Sequence, residues 1–139
     1  MNPLEEDLQS LLAATPLHAE AGISVARAEP GLVGLSFTPG PGHRNVQDLV
    51  HGGLLALLAD TAMGLAVRTQ LPAGRPHVTV QLGIQYLRPA TPEAGAIIAT
   101  GRTLKVGRTL AFASADLTAG DGTVIATATA TLSVAESLA

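Results

Sequence analysis

Apolar and polar positions alternate from residue 78 to 86: Val78, Val80, Leu82, Ile84 and Tyr86, with Thr79, Gln81, Gly83 and Gln85 between them. A period of two predicts a half-buried strand. Three further β-rich runs follow, at 95–105, 109–118 and 123–134, with turns at Val106-Gly107-Arg108 and Gly120-Asp121-Gly122. Upstream, residues 17–27 and 31–38 read as two strands joined by Glu29-Pro30-Gly31. Strands joined by short turns pair antiparallel.

Two stretches break this period. The chain opens with Asn2-Pro3-Leu4-Glu5, a capping box with Pro at the first helical position. Leu4, Leu8, Leu11 and Leu12 form the stripe of the resulting helix, which Thr15-Pro16 ends. After a Pro39-Gly40-Pro41-Gly42 loop comes HGGLLALLADTAMGLAVRTQ, residues 51–70, stopped by Pro72. It is built of helix formers and is apolar on nearly every side, which predicts a buried helix. The expected fold class is α+β: one antiparallel sheet wrapped on a central helix, in a single domain over 1–139.

Composition narrows the function. The chain has 139 residues, 47% of them hydrophobic and 14% charged. So few charges leave apolar surface that an oligomer would hide. The net charge of -3 argues against nucleic-acid binding. The absence of cysteine excludes disulfides and thiolate chemistry. The acidic MNPLEEDL start is unlike a signal peptide, and no apolar run reaches membrane-spanning length. A cytoplasmic protein with no membrane partner is expected.

Asp60 is the most informative residue. A carboxylate inside an apolar helix costs several kcal/mol unless compensated. Positions on the same face, four and seven residues away, include Gly53, Ala56 and Gly64, small enough to leave room for a ligand or another backbone. The alternative is a structural Asp held by a neighbouring turn. His51-Gly52-Gly53 places free amides at a helix start, where a developing negative charge is favoured. A flexible helix entry explains the same glycines. Asn45 stands six residues before His51 and can donate to the same oxyanion. Gly52 and Asp60 are roughly 12 Å apart along one helix. One reaction using both therefore predicts two helices related by a two-fold axis.

Other chemistries lack support. No G-x-S-x-G elbow or G-x-x-x-x-G-K-[ST] loop occurs, and His18, His43, His51 and His77 show no metal spacing with carboxylates.

The pattern Asn45, His51-Gly52-Gly53, Asp60 resembles the hotdog-fold thioesterases, nearest the PaaI-like group of phenylacetic acid degradation. The similarity runs on through VTVQLGIQYLRPA and GRTLAFASADLTAGDGTVIATATA, covering about residues 20–135. It implies hydrolysis of acyl-coenzyme A, with no metal or redox cofactor, by a homodimer that pairs again into a tetramer. It implies that Gly52 and Asn45 polarise the thioester carbonyl. Asp60 of the partner subunit then activates water or attacks directly. Thr79 stands where relatives orient the water, and His51 would hold the helix start. The resemblance alone suggests aryl or arylacetyl thioesters; with Phe37, Phe112 and Tyr86 the only aromatics, the residues themselves suggest an aliphatic pocket. Leu65 stands where related hydratases carry His, and Asp60 where related dehydratases carry Glu, so both reactions fit less well. Arg88, Arg102, Lys105 and Arg108 cluster in sequence; Arg88, Lys105, Gly107 and Arg108 are candidates for the coenzyme A phosphates, or are solvated turn residues. The rival readings are a non-catalytic acyl-coenzyme A binding or regulatory protein, and a structural dimerisation domain.

Overall fold

In the computed structural model, which describes residues 1–136, the chain forms α1 (Pro3–Ala14), α2 (Pro16–Ala21), β1 (Ser24–Glu29), β2 (Leu32–Phe37), α3 (Gly52–Arg68), β3 (Val78–Tyr86), β4 (Ile97–Val106), β5 (Leu110–Thr118) and β6 (Val124–Ser133). The last three positions of the expected 1–139 domain lie outside the described residues. Among the described residues the six strands make one antiparallel sheet, in the order β1-β2-β4-β5-β6-β3. The sheet curves around α3, which is the expected hotdog architecture. No helix among the described residues is long and apolar enough to cross a membrane.

Small side chains bring helix and sheet together. Ala99, Ala113, Ala115, Ala126, Ala128 and Ala130 face the core from β4, β5 and β6, and Ala59, Ala62 and Ala66 face them from α3. At Gly101 the approach is backbone to backbone: a Cβ there would lie 2.5 Å from the Ala62 carbonyl. Leu58, Met63, Val67, Phe37 and Leu117 fill the rest of the interior.

Two expectations are corrected. Residues 17–21 are not the start of a strand. Pro16 opens a second short helix there, Gly22 closes it in the left-handed conformation (φ 74°), and the strand begins at Ser24. Nor is α3 enclosed on every side. Leu55, Leu58, Ala59, Ala62, Met63, Ala66 and Val67 are buried, but Gly53, Ala56, Leu57, Asp60 and Gly64 form an open flank beside β3.

The two sheet edges differ. The Asn2–Glu5 capping box forms as expected, and α1 then lies along β1 with Leu8 and Leu12 buried; Leu11 points outward. Its side chains engage the β1 backbone. Asn2 Nδ2 donates to the Ala28 carbonyl (3.0 Å), while the Ala28 and Val25 amides donate to Glu5 Oε1 (3.3 Å) and Gln9 Oε1 (2.8 Å). Glu5 is held below the usual carboxylate range by the Asn2 amide first and the Ala28 amide second. Among the described residues nothing pairs with the outer side of β3, where Val78 and Val80 are exposed.

Candidate active site

β3 runs alongside the open flank of α3 and touches it at both ends. At its start, Thr79 Oγ1 donates to Asp60 Oδ1 at 2.7 Å. At its end, the Tyr86 hydroxyl donates to the Gly52 carbonyl at 2.5 Å. The inward-facing side chains between them are Leu82 and Ile84, opposite Ala130 and Ala128 of β6.

Each end borders its own cavity. Asp60 and Thr79 open into a groove of about 900 Å³, walled by Leu17, Leu57, Leu65, Val80, Leu82 and Leu132 and by the imidazoles of His18 and His77. Asp60 is half-buried, so part of its cost is relieved by water and part by Thr79. Gly52, Asn45, Tyr86 and Arg88 border a second cavity, of about 240 Å³.

The second cavity presents free donors. His51 is the N-cap of α3, and its Nδ1 accepts from the Gly53 amide at 2.8 Å. Accepting there requires Nδ1 to be unprotonated. The Leu54 and Leu55 amides both reach the His51 carbonyl. Of the first four helical amides, only that of Gly52 has no acceptor among the described residues. Asn45 Oδ1 accepts from the Gln47 amide (2.8 Å) and the Leu49 amide (3.2 Å), leaving its Nδ2 free to donate. Two N–H groups at a helix N-terminus are what a carbonyl gaining negative charge needs.

The candidate residues therefore fall into two groups. Asn45, His51 and Gly52 stand together at one end, and Asp60 and Thr79 at the other. The basic candidates are divided as well. Arg88 borders the Gly52 cavity and donates to the Val124 carbonyl at 3.0 Å. Lys105, Gly107 and Arg108 sit at the β4–β5 turn next to Leu110, which pairs with Ser133, itself the partner of Val78. They are thus at the opposite end of β3, and the amide of Gly107 is engaged by the Leu110 carbonyl.

Two contacts at the site carry no signal in the sequence. His18 Nε2 lies 3.1 Å from Thr61 Oγ1, next to Asp60, and its Nδ1 is buried without a partner among the described residues. Thr61 Oγ1 donates to the Leu57 carbonyl, so His18 is the donor to it. The second contact is that of Tyr86 with Gly52, which joins residues 34 positions apart.

The chain is similar to known proteins in sequence and in fold. Residues 47–126 match the Thioesterase superfamily. Human acyl-coenzyme A thioesterase 13 is 34% identical over 116 residues, 83% of this chain and 81% of that protein. The crystal structure of zebrafish thioesterase superfamily member 2 superposes with a TM-score of 0.83 at 30% identity, covering 94% of this chain and 97% of that one. The PaaI protein of the Escherichia coli phenylacetic acid degradation operon shares the fold, with a TM-score of 0.84 at 20% identity over 94% of this chain and 92% of that one.

Proposed function

The chain belongs to the thioesterase superfamily, and from that membership we propose that it hydrolyses aryl or arylacetyl thioesters of coenzyme A in a site completed by two subunits. Thioester hydrolysis is the coarse reading; the acyl group and the shared site are the finer ones. The observation that carries the shared site is the separation of Asp60–Thr79 from Gly52–Asn45 into two cavities at opposite ends of one strand.

The open β3 edge supports the same reading. A second copy adding antiparallel to it, about a two-fold near Leu82, sets the start of one β3 against the end of the other. Asp60 of the partner subunit then faces Gly52 and Asn45. The same operation carries the partner's Lys105–Arg108 turn towards Arg88, reuniting basic groups that one chain holds apart. Further pairing into tetramers would use a face of the sheet, whose outer side exposes Leu104, Leu110 and Phe112.

Within such a site the thioester oxygen accepts from the Gly52 amide and Asn45 Nδ2. The Thr79 hydroxyl occupies Oδ1 of Asp60, which leaves Oδ2 to take a proton from water. The water oxygen bonds to the thioester carbon. The C–S bond then breaks, and the leaving thiolate recovers the proton from Asp60. Free acid and coenzyme A are the products.

Thiol release across acetyl, long-chain aliphatic, benzoyl and phenylacetyl thioesters of coenzyme A tests this. Turnover is expected with all but favouring the last two. Release from aliphatic thioesters alone would overturn the aryl assignment. Binding without release would make the protein an acyl-coenzyme A binder.

A further inference from the structure

Two consecutive glycines at a helix start leave the backbone loose, since neither has a side chain to restrict φ and ψ. Here the space of both missing side chains is filled by other rings. A Cβ on Gly53 would lie 3.0 Å from the His51 imidazole, and a Cβ on Gly52 would lie 3.2 Å from the Tyr86 ring and hydroxyl. Both rings also hydrogen-bond the segment they cover. His51 Nδ1 accepts from the Gly53 amide, and the Tyr86 hydroxyl donates to the Gly52 carbonyl. The segment is gripped from its own side by the cap and from β3 by the tyrosine. Both contacts fall on the single peptide unit that joins Gly52 to Gly53, and the amide of Gly52, one peptide earlier, has no acceptor among the described residues.

We propose that Tyr86 is a positioning residue for the reaction, bracing Gly52 so that its amide points at the thioester oxygen. This rests on the thioesterase reading and deepens it. The contact spans 34 residues of sequence, so it ties the helix start to the edge strand and not merely to its own loop. Tyr86 stays half-exposed, at 50%, on the wall of the cavity that Asn45 and Gly52 share. Burial of the remainder pushes its phenol above the ordinary value, which keeps it a proton donor across the physiological range. The brace acts through the orientation of an amide that matters most as charge develops on the oxygen. Its loss is therefore felt in turnover more than in substrate affinity.

Tyr86→Phe keeps the ring and removes the hydroxyl. The expected result is a fall in kcat of about tenfold with KM nearly unchanged and with the melting temperature within a few degrees of wild type. Because Tyr86 is the only tyrosine, protein carrying tyrosine labelled with carbon-13 at Cζ gives a single ring resonance. That resonance is expected to move on saturation with phenacyl-coenzyme A, a non-hydrolysable thioether whose ketone mimics the thioester carbonyl. Unchanged kcat in Tyr86→Phe, a rise in KM alone, or a resonance that stays still while calorimetry shows the analogue bound would each overturn the proposal. Wild-type protein that binds the analogue and shifts the resonance yet hydrolyses no thioester would instead overturn the hydrolytic reading, with the contact between Tyr86 and the carbonyl site upheld.

Discussion

Asp60 has one carboxylate oxygen tied to Thr79 and one facing the groove, so the two substitutions at this contact separate in size. Asp60→Asn removes the base and keeps the shape. It is expected to lower turnover by about 10²–10⁴ without unfolding the protein, because Asn still accepts from Thr79. Thr79→Val keeps the base and removes the hydrogen bond that sets its rotamer, an effect of about tenfold. Thiol release together with circular dichroism checks both; full turnover in folded Asp60→Asn protein would remove the carboxylate from the mechanism. At this scale the sequence was legible where the candidate residues sit within one element. Asp60, Gly52 and His51 stand out because helix spacing alone relates them. Tyr86 and His18 do not, because their contacts with Gly52 and Thr61 join residues 34 and 43 positions apart.

Alternation made β3 readable, β-rich runs between turns marked the other strands, and the capping box marked α1. The pattern failed at 17–21, where Leu17-His18-Ala19-Glu20-Ala21 is too short to distinguish a period of two from one of 3.6. The bracketing Pro16 and Gly22 decide that segment. Alternation also hides what Gly101 does, since a strand glycine reads simply as a weak position. In the fold it is the point where β4 touches the backbone of α3. Gly101→Ala forces the two elements apart, and a loss of about 1–3 kcal/mol is expected by urea denaturation. The same change at Gly74, a left-handed turn position with open space around it, provides a comparison in which strain acts without a clash. Equal losses at the two sites would mean that the contact between α3 and β4 is softer than its geometry.

Across the whole molecule, the division of the site into two ends has a measurable arithmetic. Asp60→Asn and Asn45→Ala proteins, each expected to be inactive alone, are unfolded and refolded together. With random pairing about half of the dimers are mixed, and each mixed dimer holds one site with both groups intact, so roughly a quarter of wild-type activity returns. If both residues served within one chain, every site would keep one defect and activity would stay near zero. Subunit exchange, verified by mass, makes a failure to recover decisive. In the sequence the pointer at this scale is the roughly 12 Å of helix between Gly52 and Asp60. The open edge that makes pairing feasible depends on which strand ends the sheet, and local patterning does not encode that order.

Asn2, Glu5 and Gln9 occupy the β1 edge, and among the described residues the β3 edge is bare. In the language of polymer chemistry, the sheet is a monofunctional monomer. With a single bonding end, joining two sheets edge to edge would exhaust that end, and edge-to-edge growth would stop at the pair. Removing residues 1–15 would make it bifunctional, and chains of sheets could then lengthen without limit. Light scattering that climbs with concentration in the truncated protein, but not in the full chain, is the expected sign; dimers of unchanged size would show that termination lies elsewhere.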